Sequence, residues 1–190
     1  MNNLDDCFKA TETWITVAEA IKRFSCLLGG ITQIETVSIR DCLARTLATQ
    51  LIAKHNIPPY NNSAVDGYAV YFNDLNKGTE TRLPVGGRIA AGHPLNRAAK
   101  RHEALHVFTG APLPKGLTDE GPDTIFMLED IEVDRNVVIV PAGIKRFSNF
   151  RNAGEDVKIN DIVLLPGHRL RPQDISMAAS LGYAEIEVYR

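Results

Sequence analysis

The stretch Pro58-Pro59-Tyr60-Asn61-Asn62-Ser63-Ala64-Val65-Asp66-Gly67-Tyr68-Ala69-Val70 has a strictly prescribed backbone. Each proline holds its φ angle at about −65°, whereas Gly67 permits the positive φ angles that many tight turns require. The apolar run from Tyr68 to Phe72 then predicts a β-strand. Loops with a fixed backbone and small polar side chains often carry binding groups, but the same pattern also suits a purely structural turn.

The composition is typical of a soluble globular protein and excludes several functional classes. The 190 residues are 44% hydrophobic and 23% charged, enough for one large domain or two small ones. A net charge of −2 gives no electrostatic basis for binding nucleic acid or an anionic membrane, and no apolar run is long enough for a membrane span. Three cysteines without a CxxC pair, and an N-terminus unlike a signal peptide, predict a cytoplasmic protein with reduced thiols.

The pattern of apolar runs and turn residues predicts a mainly β protein with a few helices (α+β). A capping box at Thr16 and Glu19 opens the first helix before Gly29-Gly30 stops it, and Pro172 and Gly182 bound the second. Strands are predicted at residues 35–39, 68–72, 83–89, 105–108, 123–128, 131–133, 137–140 and 184–189, with a Pro-Gly turn within 163–170. Residues 51–53 form a further apolar run. The sequence ends within the last strand, so we expect it to be part of a longer protein.

Three loops combine turn residues with reactive side chains. The first is the opening stretch, with Asn61, Ser63 and Asp66. The second comprises residues 109–116, where exposed backbone N–H groups and the Thr109 hydroxyl could hold an oxyanion. A proline-rich surface loop without a ligand is the plainer interpretation of that second loop.

The third loop comprises residues 146–156 and contains Arg151, Glu155 and Asp156. A guanidinium recognises oxyanions through paired hydrogen bonds, and carboxylates suit a magnesium ion or a fixed arginine. The alternative is a solvated run of charges. The five histidines lack metal-ligand spacing, and we interpret His102 and His106 as surface residues.

Taken together, the three loops resemble the MoeA family. Residues 59–70 resemble its motif P-[FY]-D-N-S-A-M-D-G-Y-A-V, and residues 109–116 with Asp123 and Glu129 resemble T-G-A-P-x-P-x-G-x-D-x-V-x-x-x-E. Residues 151–156 and 179–182 match R-x-x-G-E-D and A-S-x-G. The order and spacing of these motifs agree over nearly the whole chain.

The resemblance implies irregular bifurcated sheets and a small β-barrel-like domain, as in the MoeA N-terminal region. Residues 1–47 with 157–190 would form an elongated, discontinuous dimerisation domain with the N-terminal helix. Residues 48–156 would form an inserted β-rich domain. The family's α/β domain, which binds molybdopterin, would begin where this sequence stops, so we expect the chain alone to be inactive.

The resemblance also implies a function. Family members insert molybdate into adenylylated molybdopterin in molybdenum cofactor biosynthesis, require Mg²⁺ and form homodimers whose active site lies between subunits. Molybdopterin adenylyltransferase and molybdoenzyme apoproteins would be partners, whereas nucleic acid and membranes would not. The alternatives are a non-catalytic scaffold like gephyrin and a free-standing oxyanion-binding module.

The implied site residues lie in the matching motifs. Those implied to be catalytic are Thr109, Arg151 and Asp156, and those implied to bind substrate are Asn61, Ser63, Asp66 and Gly110. Glu129 and Asp156 would be metal-binding. The chain departs from the family pattern in three ways: Asn61 replaces an acidic residue, Val65 replaces methionine, and residues 117–122 lengthen the second loop.

Overall fold

The computed structural model describes residues 15–28 and 32–190 and confirms a mainly β protein with a few helices. The helices are α1 (Val17–Leu27) and α2 (Pro172–Ser180). The strands are β1 (Ile34–Ser38), β2 (Thr46–Leu47), β3 (Leu51–Ile52), β4 (Asn62–Ser63), β5 (Gly67–Val70), β6 (Thr81–Ile89), β7 (Ala104–Val107), β8 (Thr124–Met127), β9 (Glu132–Asp134), β10 (Val137–Val140), β11 (Phe150–Arg151), β12 (Ile162–Leu164) and β13 (Glu185–Tyr189). Within these residues, no helix is long and apolar enough to cross a membrane.

Helix α1 begins where the capping motif predicts, but only half of that motif forms. The Thr16 Oγ1 atom accepts a hydrogen bond from Glu19 N at 3.1 Å. The Glu19 side chain accepts from Arg23 Nε at 3.0 Å instead of reaching back to Thr16. The predicted stop at Gly29-Gly30 lies outside the described residues. The apolar side chains at helical spacing form an exposed stripe: Val17, Ile21, Phe24 and Leu27.

The two ends of the sequence form a three-stranded antiparallel sheet with the order β1-β13-β2. Strands β1 and β13 pair from Ile34 opposite Tyr189 to Ser38 opposite Glu185. Helix α2 packs on this sheet, and the shared core consists of Cys42, Leu47, Leu51, Leu170, Ala178, Ile186 and Val188. This core brings together residues from both parts of the discontinuous domain, and it includes Leu51, which lies beyond residue 47. The division into two domains stays a prediction.

The middle of the chain forms a curled half-barrel of six strands, with the order β8-β5-β7-β6-β10-β9. All neighbouring pairs are antiparallel except β6 and β7, which are parallel. One face packs in a core that includes Ala69, Ile89, Leu105, Val107 and Ile125. The other face packs in a core that includes Tyr68, Val70, Leu83, Phe126, Val138 and Val140. Strand β5 is therefore buried on both faces and paired on both edges.

Two turns have regular geometry, and one of them is the predicted Pro-Gly turn. Asp134 pairs with Val137, so the β9–β10 hairpin turns through two residues, of which Arg135 has a φ angle of 55°. In the Pro-Gly turn, Leu165 O accepts from His168 N at 3.3 Å and Gly167 has a φ angle of 85°, as a type II turn requires. The chain after this second turn forms an isolated bridge with β2 rather than a strand.

The first turn of helix α2 contains a buried carboxylate, Asp174, of which 5% is exposed. Asp174 Oδ2 accepts from Arg171 N at 2.9 Å, Arg171 Nε at 3.0 Å and His168 Nε2 at 2.8 Å. The bonds from Arg171, aided by the bond from His168, lower the pKa of Asp174 far below its ordinary value, although burial opposes this shift. Asp174 therefore joins the Pro-Gly turn to the first turn of α2.

We expect Asp174→Asn to lower the free energy of unfolding at pH 7 by about 2 kcal/mol, because hydrogen bonds to a charged group are lost while the Arg171 side chain is largely exposed. The folded-state pKa is depressed, so the carboxylate stabilises the fold above its unfolded pKa of about 3.9 and loses this effect as the pH falls. Urea unfolding at about pH 7, 5 and 3 should therefore show the difference from wild type narrowing at the lowest pH. The exposed Asp130→Asn variant is the control, and a difference that does not change with pH would contradict the assignment.

Candidate functional site

The three loops identified in the sequence meet around the short strand β4. On one side, β4 pairs with β11, so that Ser63 lies opposite Phe150. On the other side, Gly110 N donates to Ser63 O at 2.8 Å and Ser63 N donates to Ala111 O at 3.2 Å. The first loop therefore joins the second loop to the third through backbone hydrogen bonds.

Asp66 anchors the start of the second loop. The backbone N and the Oγ1 of Thr109 each donate to Asp66 Oδ1 at 2.7 Å. These two bonds, the backbone one first, lower the pKa of Asp66. A carboxylate with a lowered pKa is a poor proton acceptor at neutral pH. It stays ionised and keeps accepting the hydrogen bonds from Thr109. Asp66 and Thr109 are both exposed, so this anchor faces solvent.

Gly67 is required for a reason that the sequence analysis did not identify. Gly67 lies within β5 and does not have a positive φ angle. The freedom of glycine to adopt a tight turn is therefore not the reason for a glycine here. A Cβ atom at this position would lie 1.8 Å from Phe126 O and 2.8 Å from Phe126 C. Gly67 therefore permits the close approach of β5 and β8 directly beside Asp66.

Asn61 and Ser63 make contacts that hold the loops together. The Asn61 Oδ1 atom accepts from Ala153 N at 2.8 Å, which ties the first loop to the third. Ser63 is buried, and its hydroxyl donates to Val65 O at 2.6 Å. Contact of either side chain with a substrate stays a prediction.

At the start of the second loop, the N–H groups that the oxyanion hypothesis needs are already bonded. Thr109 N donates to Asp66, Gly110 N to Ser63 O, and Ala111 N to Phe108 O at 2.8 Å. The Thr109 hydroxyl also donates to Asp66. In this conformation these donors are held by acceptors of the first loop and of the preceding strand end, and they do not form a preformed oxyanion site.

Arg151 is held by the two carboxylates that follow it in the sequence. Its Nη2 donates to Asp156 Oδ1 at 2.7 Å, and its Nε donates to Glu155 Oε1 at 3.2 Å. These contacts, first with Asp156 and then with Glu155, raise the pKa of Arg151. One guanidinium and two carboxylates leave this group with a net charge of −1. An anion that binds Arg151 would therefore share the guanidinium with two carboxylates.

The proposed metal ligands Glu129 and Asp156 lie in different surroundings. Glu129 follows β8 and lines a groove with Glu80, Asp130 and Glu132, whereas Asp156 contacts Arg151. In the described part of the chain, no group of three or more His, Cys, Asp or Glu side chains could hold a metal ion. These residues do not provide a complete magnesium site, and the Glu129–Asp156 pair stays a prediction.

His106 is not the surface residue that the sequence analysis predicted. It lies in β7 and stacks on Tyr68, with ring centroids 4.9 Å apart, and contacts Phe108 at 4.7 Å. Burial, followed by the nearby Arg88, lowers the pKa of His106. The sequence carries no local signal for this position, because the alternation Leu105, His106, Val107 is also the pattern of a strand with one solvent-facing side.

Comparisons with known proteins identify a single family. The sequence profile described as MoeA N-terminal region (domain I and II) matches residues 15–182. A protein from Haemophilus influenzae named molybdopterin molybdenumtransferase is 36% identical over 160 residues, which are 84% of this chain and 38% of the relative. A Bacillus subtilis protein of the same name is 30% identical over 185 residues, covering 94% of this chain and 42% of the relative.

The fold comparison agrees with the sequence comparison. A crystal structure of the molybdopterin biosynthesis moeA protein from Pyrococcus horikoshii OT3 matches with a TM-score of 0.79 and 29% identity. That match covers 93% of this chain and 46% of the other. The chain spans about two fifths of the length of the curated relatives it matches. Because the family profile covers most of the sequence and includes all three loops, the chain belongs to the MoeA N-terminal region (domain I and II) family.

Proposed function

We propose that the chain is the domain I and II part of a molybdopterin molybdenumtransferase and provides one wall of its active site. The names of the relatives support this assignment, and so does one structural observation: the solvent-facing Asp66–Thr109 anchor lies where the three family loops meet. The substrates would be adenylylated molybdopterin and molybdate, and the products the molybdenum cofactor and AMP. A pterin-binding domain, as expected from the resemblance, would complete the site.

The hydrogen bonds of the anchor assign separate tasks to its two residues. Asp66 holds the Thr109 N–H and hydroxyl, so the oxygen of that hydroxyl keeps its lone pairs for a ligand. When substrate binds, rotation of the hydroxyl would let it donate to a substrate oxygen while the backbone bond to Asp66 persists. Thr109 is thus the contact residue in this proposal, and Asp66 positions it.

Arg151 contributes in a different way, because Glu155 and Asp156 already balance its positive charge. An anionic substrate oxygen would compete with Glu155 or Asp156 for the guanidinium. The net negative charge of this group also means that an anion needs further positive charge nearby. Mg²⁺ is the ion expected from the resemblance, but its ligands are incomplete among the described residues. No step is therefore assigned to the ion.

Complementation with a chimera tests the proposed function. The chain replaces the matching 38% of the Haemophilus influenzae relative, and the chimera is expressed in a strain that lacks the transferase. We expect molybdoenzyme activity to return, while the chain alone stays inactive. The intact relative is the positive control. A chimera that is folded and soluble but inactive would contradict the enzyme assignment and favour a scaffold.

We also propose a homodimer, as expected from the resemblance and supported by the exposed apolar stripe on α1. The chain of 20.9 kDa should sediment as a species of about twice that mass at micromolar concentration. Phe24→Glu, which places a charge in the stripe, should shift the chain to monomer, whereas Lys22→Glu should not. A wild-type monomer would contradict the dimer. The cytoplasmic location and the partners molybdopterin adenylyltransferase and molybdoenzyme apoproteins stay predictions.

A further inference from the structure

Arg88 is an exposed arginine near the end of β6, and it pairs with no carboxylate among the described residues. The other arginines near the three loops are each paired with at least one carboxylate: Arg101, Arg146 and Arg151. Arg88 can therefore receive an anion without breaking an ion pair.

The register of the half-barrel places Arg88 on the same face as the Asp66–Thr109 anchor. Arg88 on β6 lies opposite His106 on β7. By the register of β5 and β7, Asp66, which directly precedes β5, lies beside Phe108. Side chains two residues apart in a strand share a face, so Phe108 and His106 face the same way. Arg88 and Asp66 therefore lie on either side of β7, two strand spacings or roughly 10 Å apart.

Phe108 holds the Arg88 guanidinium beside the start of the second loop. The central carbon of the guanidinium lies 4.4 Å from the centroid of the Phe108 ring. Phe108 itself is fixed, because its N donates to Ile89 O at 3.2 Å and its O accepts from Ala111 N at 2.8 Å. Stacking occupies the flat face of a guanidinium, whereas its N–H groups point outward in the plane. The contact with Phe108 thus orients Arg88 without using its hydrogen-bond donors.

His106 forms the base of this surface and does not compete with Arg88 as a positive charge. Its Nε2 atom is buried and has no hydrogen-bond partner among the described residues. Burial, followed by Arg88, lowers the pKa of His106, while Asp66 opposes this shift. The ring is therefore neutral at pH 7, and the positive charge on this face belongs to Arg88.

We propose that Arg88 is a further substrate-contact residue, which binds an anionic oxygen of the substrate together with the Thr109 hydroxyl. The inference rests on the proposed function and supplies the positive charge that Arg151, shared between two carboxylates, does not provide. A guanidinium recognises oxyanions through paired hydrogen bonds, and Arg88 has its donors available for them. Molybdate and the phosphate of an adenylylated pterin both present such oxygens, so the experiment treats them separately.

The first test is an NMR titration of the ¹⁵N-labelled chain with sodium molybdate and with AMP, at constant ionic strength. We expect saturable shifts of the Arg88 Nε–H and Thr109 N–H signals, with a dissociation constant on the order of 10 mM for at least one anion. The bound anion should also raise the pKa of His106, because it offsets the charge of Arg88. Adenosine and sodium chloride are the reference arms, and they should leave these signals in place.

Arg88→Gln removes the charge and keeps a polar side chain of similar reach. It should abolish saturation by the anion and change the melting temperature little, because Arg88 is exposed. Arg135→Gln is the matched control, since Arg135 is also exposed but lies in the β9–β10 turn. In this variant the anion should bind as it does to wild type.

The chimera shows whether the contact serves the reaction. Arg88→Gln should raise the KM of the substrate whose oxygen it binds about tenfold and leave kcat within about threefold, as expected when a binding contact is lost. A change in the KM of molybdate assigns Arg88 to molybdate, and a change in the KM of the adenylylated pterin assigns it to the phosphate. Arg135→Gln should change neither constant.

Three results would overturn the inference. They are the absence of saturable shifts at Arg88 and Thr109 with both anions, unchanged anion affinity in Arg88→Gln, and wild-type kinetic constants for Arg88→Gln in an active chimera. A folded but inactive chimera contradicts the proposed function instead. The titration of the chain would in that case still decide whether Arg88 binds an anion.

Discussion

Gly67→Ala is expected to lower the free energy of unfolding by about 3 kcal/mol or more. The added Cβ atom would lie 1.8 Å from Phe126 O and 3.2 Å from Met127 Cα, and both atoms belong to the backbone of β8. A flexible side chain could turn away from the methyl group, but a paired strand cannot move without breaking its ladder. Strand β5 lies between β7 and β8, so the displacement would reach both neighbours.

Urea unfolding at pH 7 measures this effect, and Gly78→Ala is the matched control. A Cβ atom at position 78 would meet nothing within 4 Å, and Gly78 is not among the residues with a positive φ angle. The control should stay within about 0.5 kcal/mol of wild type. Equal stabilities for the two variants would show that β5 and β8 do not approach as closely as described.

Asp66→Ala is expected to reduce transferase activity of the chimera at least about 100-fold, because small displacements of a contact group have effects of this size. The substitution removes the acceptor of both Thr109 bonds and frees the start of the second loop. Because Asp66 is exposed, the melting temperature should change little. The control is Glu132→Gln, an exposed carboxylate on β9 outside the three loops. An Asp66→Ala chimera with activity near wild type would remove Asp66 from the site.

Asp66→Asn distinguishes position from charge in the same assay. An asparagine oxygen still accepts from Thr109 N and Oγ1 but carries no charge. If Asp66 acts by positioning Thr109, Asp66→Asn should retain about tenfold more activity than Asp66→Ala. Equal losses of activity in the two variants would show that the charge of Asp66, rather than its hydrogen bonds with Thr109, is required.

The sequence was most informative where the structure depends on neighbouring residues. Alternating side chains predicted β1 and β13, and the Pro-Gly turn formed as expected. The Thr16 cap also formed, because an N-cap depends on a bond over three residues. These features require only local geometry, so a pattern of residue types is enough to specify them.

Features that depend on distant residues could not be read in this way. The order β8-β5-β7-β6 follows from pairings between segments far apart in the sequence, and this order determines the need for a glycine at position 67. The second loop looked open to an anion because its hydrogen-bond acceptors, Asp66 and Ser63, lie more than 40 residues earlier in the chain. His106 was misplaced for a similar reason, since its stacking partner Tyr68 comes from another strand.

The family motifs supplied part of what local patterns could not. They predicted that Asp66, Thr109 and Arg151 belong to one site, and the structure brings their loops together around β4. The motifs did not reveal which of these residues contact one another. Arg151 is paired with Asp156 and Glu155, so part of the shared pattern maintains the third loop. Asn61, which departs from that pattern, ties the first loop to the third by accepting from Ala153 N.

The most direct test of the central claim is cofactor formation by the purified chimera from adenylylated molybdopterin and molybdate, followed as AMP release. We expect molybdate-dependent AMP release by the wild-type chimera and its loss in Asp66→Ala, with both proteins equally folded. A folded wild-type chimera that releases no AMP, beside an active Haemophilus influenzae relative, would contradict the claim that these loops form one wall of the transferase site.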